Sequence, residues 1–398
     1  MISLHDLNRL FNHGWLLCLV LTACVPTPIH HHPATYLRPT STPYLRSPQT
    51  RPPRVAYNRW QQLPNWRSVD LQPSWAALLN SCIALKRQRD WRGICVRAEQ
   101  QERLENAQIR AFFESEFTPQ QLVNTDGSSN GLVTGYYEPK LKGSHTRTAR
   151  FRYPLYAHPE ALLEPQAPTP TSKQQPYYSR AQINAGIANL AGQELFWVED
   201  EVELFFLQIQ GSGRIELPNG QFVRVGYAGD NGHPYRSVGK KLVEMGELSL
   251  DQASMWDIQD WGLQNPERFA KLLNSNPRYT FFRELPATAT APIGALGVPL
   301  TEGYSIAVDP QNVPLGAPIF LATTHPNSNI PLNRLVFAQD TGISIKGKVR
   351  ADFFWGFGEE AKMQASRMKQ TGQMWVLRPK PANQRVAHEV NSPVQGLN

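Results

Sequence analysis

Two aspartates, Asp340 and Asp352, stand twelve residues apart in the stretch LVFAQDTGISIKGKVRADFFWG, and Asp309 lies upstream in YSIAVDP. A carboxyl group acts as a general acid only while it holds its proton. An unperturbed aspartate, with a pKa of about 3.9, has lost it near neutral pH. Burial beside aromatic rings, or a second carboxylate close by, raises that value. Asp352 is followed directly by Phe353, Phe354 and Trp355, and Asp340 and Asp309 can supply the neighbouring charge. The plainer reading of each acid is a cap on a strand turn. The chain also holds ten tryptophans and thirteen tyrosines, surface that suits flat ligands such as sugar rings as well as core packing.

Other chemistries lack their signatures. No Gly-x-Gly-x-x-Gly opens a helix, and no Walker Gly-Lys-Ser/Thr is present. No Gly-x-Ser-x-Gly elbow appears, and Ser212 in QGSGR has no matching histidine order. His-Glu-x-x-His and paired Cys-x-x-Cys are absent, so no metal is expected, and no cofactor. The run His30, His31 and His32 sits in a proline-rich stretch and reads as solvated.

The elements that must position the acids follow from the patterning. PSWAALLNSCIALKRQ has helical spacing, with Ser74 expected at its N-cap, and DWRGICVRAEQ reads as a second helix. From Gly131 the chain becomes β-rich: GLVTGYYEP, FRYPLYAHP, ELFWVEDEVELFFLQIQGSGRIEL and QFVRVGYAG, with Asn219-Gly220 at a hairpin tip. Two helices follow, SLDQASMWDIQDWGL and NPERFAKLLNSN, the latter with Asn265 as cap and Pro266 at its first position. Residues 287–292, ATATAP, read as a hinge. Short strands punctuated by glycine and proline then suggest a small barrel.

The formal net charge is +7, and five arginines with no acid lie between Val25 and Trp60, so a nucleic-acid surface is not expected. The apolar run WLLCLVLTA, Trp15 to Ala23, is too short to span a bilayer and sits where a signal peptide places its core. Leu21-Thr22-Ala23-Cys24 resembles the bacterial lipobox, which makes Cys24 the lipidated residue. Val25, not aspartate, follows, which favours an outer-membrane anchor. Cys82 and Cys95 are then the pair left in the globular part. Export permits a disulfide between them; two buried thiols are the other reading.

Seven long segments, in order, carry a family resemblance: GLVTGYYEPKLKGS, FRYPLYAHP, LFFLQIQGSGRIEL, VGYAGDNGHPYRSVGK, SMWDIQDWGLQNP, YSIAVDPQNVPLGAPIFL and FAQDTGISIKGKVRADFFWGFG. Together, from about Gly131 to Pro379, they resemble the membrane-bound lytic murein transglycosylase A family. The resemblance implies a mainly β fold with helices (α+β). It pairs a double-psi β-barrel with an inserted second β-rich domain and places the substrate groove between them. The implied division is a signal at 1–23, a basic proline-rich linker at 24–60, a helical part of the barrel domain at 61–138, the insert at 139–287, the three-aspartate barrel at 288–380 and a tail at 381–398. The three aspartates map onto Asp309, Asp340 and Asp352, and the single catalytic acid onto Asp352. Thr134, Tyr136, Gln210, Ser212, Asn231, His233, Tyr235, Arg236 and Lys346 are expected to contact glycan, most of them from the insert; hairpin and core roles stand beside that reading. Three places depart from the family pattern. Tyr304 replaces a common arginine, Ile343-Ser344 replaces Gly-Ala, and Ser366 replaces glycine.

The implied reaction cleaves the β-1,4 bond between N-acetylmuramic acid and N-acetylglucosamine and leaves a 1,6-anhydromuramyl end. An ordinary peptidoglycan hydrolase, or a non-catalytic expansin-like binder, are the alternatives. The implied partners are peptidoglycan glycan strands, the outer membrane through the lipid anchor on its periplasmic face, and a cell-wall synthesis or degradation complex, with the protein itself a monomer.

Overall fold

A computed structural model describes residues 60–162, 176–250 and 253–384. The signal, Cys24, the three-histidine run, the linker up to residue 59 and the tail from 385 lie outside the described residues. No helix among the described residues is long and apolar enough to cross a membrane.

After a short 3-10 turn (Trp60–Gln62), the described residues form three helices, α1 (Gln72–Leu85), α2 (Arg89–Glu99) and α3 (Asn106–Glu116), and two strands, β1 (Phe117–Gln121) and β2 (Gly131–Glu138). Cys82 of α1 and Cys95 of α2 are joined by a disulfide. Ser74 is not the expected cap. The helix starts earlier, with a proline in its first turn, and Ser74 is buried inside it, donating to the carbonyl of Leu335 at 2.8 Å.

A second group of elements follows: β3 (Lys140–Ser144), β4 (Tyr153–Tyr156), α4 (Arg180–Asn184), β5 (Glu194–Val198), α5 (Glu201–Gln210), β6 (Ser212–Glu216), β7 (Phe222–Asp230), α6 (Val238–Glu244), α7 (Met255–Gln264), α8 (Pro266–Asn274) and β8 (Thr280–Glu284). Its strands form one six-stranded sheet in the order β4-β5-β3-β6-β7-β8. The stretch expected to be continuously β-rich holds a helix instead. Asp200 caps α5 by accepting from the amides of Val202 and Glu203, and Gly211 ends it at φ 80°. Leu204 and Leu207 pack on the sheet, while Phe205 and Phe206 pack against α6, α7 and α8. Apolar burial on both sides erases the helical period from the sequence.

The chain then completes the first sheet with β9 (Ser305–Val308), β10 (Pro318–Thr324), β11 (Pro331–Thr341), β12 (Arg350–Phe357) and β13 (Lys369–Pro379); α9 (Glu359–Arg367) connects the last two. The order is β1-β13-β10-β11-β9-β12-β2, and β13 also pairs with β2, so six strands close into a barrel. The β11–β9 and β12–β2 pairs are parallel. Alternation sorts the side chains. Val336, Ile319 and Met374 fill the barrel, while Leu335, Phe337, Phe320 and Trp375 face outward under α1, α2 and α3. With both faces covered, these strands read as unbroken apolar runs.

Glu138 ties the two sheets at the point where the chain crosses between them. It is 1% exposed and accepts from Arg214 at 2.7 Å and Arg224 at 3.1 Å. Arg224 also donates to the carbonyl of Ala289, on the returning segment. One carboxylate thus fastens both crossings.

Candidate active site

Four strands align one residue each across the outer wall of the barrel. Asp340 of β11 is in register with Ala307 of β9, Ala307 with Asp352 of β12, and Asp352 with Thr134 of β2. On β13 the row continues at Lys369, opposite Thr134.

A bulge puts Asp340 in that row. Up to Ala338 the strand alternates strictly, and Asp340 would point into the barrel. The register slips between Ala338 and Asp340, leaving Gln339 as the extra residue. Such a bulge re-aims the side chain that follows. Gln339 is fully buried against α1: it donates to the carbonyl of Ala77 at 2.8 Å and to Ser81 at 2.9 Å, and accepts from Ser305.

Below the row lies an apolar floor of Tyr136, Leu300, Ala307, Ile345 and Phe354. Phe354 shares the face of Asp352, two residues along the strand, while Phe353 points into the barrel. Both acids are partly exposed above this floor. Oδ1 of Asp352 accepts from the hydroxyl of Thr134 at 2.5 Å, and that hydroxyl oxygen accepts from Arg350 at 2.9 Å. Asp340 accepts from the amides of Ala295 and Thr341, both at 2.9 Å, and from the Tyr136 hydroxyl at 3.0 Å.

Burial raises both carboxyls. It pushes Asp340 up to about 6, against the opposing pull of its two amide donors and Tyr136, with the charge of Asp352 adding a little. For Asp352 burial is again the main cause of an upward shift, opposed by the Thr134 hydrogen bond and the Arg350 charge. The neighbouring carboxylate is therefore not what raises Asp352; the apolar surround is. Burial also pushes Tyr136 well up, so it stays a neutral donor.

Thr134 and Tyr136 belong to the barrel strand β2 and not to the inserted sheet, because β2 pairs with β12 and β13. Asp309 stands apart from the pair. It is 3% exposed and accepts from the amides of Gly347 and Gln311 and from the Asn312 side chain, which hold it below the usual carboxylate range. It pins the loop ahead of β12, with exposed Lys346 close enough for its charge to be felt.

In the inserted sheet, Gln210 ends α5 and accepts from the amide of Tyr137, beside Tyr136, and Ser212 opens β6. The remaining four cluster on one loop. Asn231 is 1% exposed and its amide is committed to the carbonyls of Tyr178 and Pro277 and the amide of Tyr279. His233 bonds to the carbonyl of Tyr177 at 2.7 Å. Tyr235 is raised by burial, and Arg236 has an exposed side chain. Of the departures, Tyr304 lies under the guanidinium of Arg334, 5.2 Å from the ring centre, and Ile343 and Ser344 are exposed on the loop after β11.

Sequence reasoning passed over Arg350, Ala307 and Gln339. Arg350 carried a readable signal: two residues before Asp352 on one strand, it must share its face.

A family model described as the MltA specific insert domain matches residues 132–283, and one described as the 3D domain matches residues 304–378. The membrane-bound lytic murein transglycosylase A of Escherichia coli (strain K12) is 34% identical over 269 residues, which are 66% of this chain and 69% of that protein. Among solved structures, the lytic transglycosylase LtgG of Burkholderia pseudomallei is 49% identical, with 81% of this chain and 95% of that chain covered at a TM-score of 0.56. E. coli MltA with bound chitohexaose is 28% identical, with 77% and 90% covered at a TM-score of 0.62.

Proposed function

The chain belongs to the membrane-bound lytic murein transglycosylase A family, and we propose that it opens the β-1,4 bond between N-acetylmuramic acid and N-acetylglucosamine with Asp352 as the only proton-carrying group. The observation that carries this reading is the setting of Asp352: a partly exposed carboxyl, raised by burial, on the outer wall of the barrel. Such a group can hold a proton closer to neutral pH than a solvated aspartate.

Protonated Asp352 gives its proton to the glycosidic oxygen as the bond to C1 breaks. The resulting carboxylate takes the proton of the muramyl C6 hydroxyl, and O6 closes onto C1. The product is a 1,6-anhydromuramyl end, and no water is consumed. One carboxyl thus serves where glycoside hydrolases commonly use two. Asp340, two strands away, faces the positive charge that develops on the sugar ring. Asp309 acts by holding the loop that precedes β12.

The glycan lies against Thr134 and Tyr136 of the barrel, Gln210 and Ser212 of the inserted sheet, and Lys346; the loop of Asn231, His233, Tyr235 and Arg236 flanks it. A related enzyme solved with chitohexaose supports a β-1,4-linked amino-sugar ligand. The division into barrel and insert at 138/139 and 287/288 belongs to this reading, as do Cys24 as the lipid anchor, placement on the periplasmic face of the outer membrane, a monomeric state and attachment to a cell-wall complex. Relatives carry the description membrane-bound.

Purified sacculi incubated with the protein should release soluble muropeptides whose muramyl ends are one water lighter than those from a hydrolase. Reducing ends would make it a hydrolase, and binding without soluble product would make it a glycan binder.

A further inference from the structure

Arg350 touches no reacting atom, yet it bonds to the one side chain that bonds to Asp352. A threonine hydroxyl has one proton and two lone pairs, and a guanidinium can only donate. Arg350 Nη2 occupies a lone pair of Thr134 Oγ1 at 2.9 Å. That bars the hydroxyl proton from the side of Arg350, and its acceptor is Oδ1 of Asp352, at 2.5 Å. The guanidinium is itself held in place, since Nη1 donates to the carbonyls of Leu132 and Ala351.

We propose that Arg350 is a positioning residue that, through Thr134, keeps Oδ1 of Asp352 a permanent acceptor and confines the transferable proton to Oδ2. The proposal rests on the reading of Asp352 as the proton carrier. A proton on Oδ1 would face the Thr134 hydroxyl proton; with one lone pair taken by Arg350, Thr134 could accept it only by turning its own proton away from Asp352, its one hydrogen-bond acceptor among the described residues. Only Oδ2 is left to give and take a proton, so the two halves of the reaction use the same oxygen. The acid needs no internal proton shift between them.

Other charged or titratable groups around Asp352 do not substitute for Arg350. Asp340 of β11 and Tyr136 of β2 bond to each other. Lys369 of β13 donates to the carbonyl of Leu250. Ala307 of β9 carries no charge, and the charged α9 packs against Tyr137 and Trp355. The charge of Arg350 also draws Asp352 downward against burial.

The test is the activity–pH profile of Arg350→Met on sacculi. Removing the charge and freeing the hydroxyl should move the alkaline limb, where the acid is lost, up by about one pH unit. Turnover at the optimum should fall on the order of 10- to 100-fold with KM unchanged. Arg350→Lys should keep the limb near its wild-type position. If Arg350→Met does not fold, Thr134→Val breaks the same relay from the other side and should move the limb upward, whereas Thr134→Ser should leave it in place. An unmoved limb in either folded relay variant overturns the proposal. Carbon NMR titration of the Asp352 carboxyl reads the same shift without turnover. Should wild-type protein release no anhydromuramyl ends, the proposed function fails, while that titration still decides the role of Arg350.

Discussion

Ala307 is in register with Asp340 on one side and with Asp352 on the other. Two strand spacings therefore separate the acids, about 10 Å between their Cα atoms. Only a methyl group stands between them. That methyl is itself buried, packed with Tyr136, Leu300, Ile345 and Phe354. The spacing keeps the two acids far enough apart to titrate with little mutual influence, in line with burial as the leading cause for each.

Asp352→Asn keeps the shape of the side chain but removes the proton. General acid catalysis is worth roughly 10² to 10⁴-fold, and one group here serves both halves of the reaction, so turnover should fall by the upper figure or more. Binding to sacculi should persist. Near-normal turnover in this variant, with severe loss in Asp340→Asn, would exchange the roles of the two acids.

Asp340→Asn should make the protein more stable at neutral pH. Its folded-state pKa of about 6 lies above the ordinary value of 3.8. Well below 3.8 the group is protonated in both states and costs nothing. The penalty grows as the pH rises toward 6 and is complete above it. The amide variant should gain about 1–3 kcal/mol over wild type at pH 8 relative to pH 4. Thermal melts at the two pH values check this; an identical offset at both would mean the carboxyl is not raised.

Gln339→Met takes one buried partner from each of Ser305, Ser81 and the carbonyl of Ala77, although Ser305 still accepts from the amide of Thr301 and Ala77 lies within α1. Each unsatisfied group costs about 1–3 kcal/mol, so urea unfolding should show a loss of about 2–4 kcal/mol. Activity should fall too, because the bulge that aims Asp340 loses its anchor. Full activity in a destabilised variant would separate the anchor from the aim.

Glu138→Gln should cost about 3 kcal/mol, since it leaves two guanidinium groups facing a neutral amide in a buried setting. The segment from 285 to 304 should become easier to cut in limited proteolysis, because Arg224 would no longer be held where it reaches Ala289. Destabilisation with an unchanged cleavage pattern would limit Glu138 to the crossing at the end of β2.

The barrel strands were legible because apolar runs such as APIFLAT and MWVLRP are short and bounded by glycine or proline, the signature of strands covered on both faces. Asp352 and Asp340 were legible because the family pattern aligns them. Helix α5 was not: leucines on one side and phenylalanines on the other leave no polar face to mark its period. The bulge at Gln339 was not either, since one extra residue leaves no trace in composition. That Thr134 and Tyr136 sit on a barrel strand was not legible in their own segment, because pairing partners more than two hundred residues away decide which sheet a strand joins. Arg350 was passed over: its spacing puts it on the face of Asp352, but only its bond to the Thr134 hydroxyl gives it a role.

The hydroxyl of Thr134 meets a carboxylate 218 residues later in the chain, and β13, which begins at Lys369, closes the ring against β2. Pairings this distant in sequence form late, because the loop must close before the contacts repay its entropy. The strand that brings Thr134 is made early and waits through the inserted sheet for β12 and then β13. A chain stopped between Asp352 and Lys369 would hold all three aspartates and still have an open wall. Competence to cut therefore arrives with the last strand, after nearly all of the described chain has been delivered, and not in proportion to how much of it has folded.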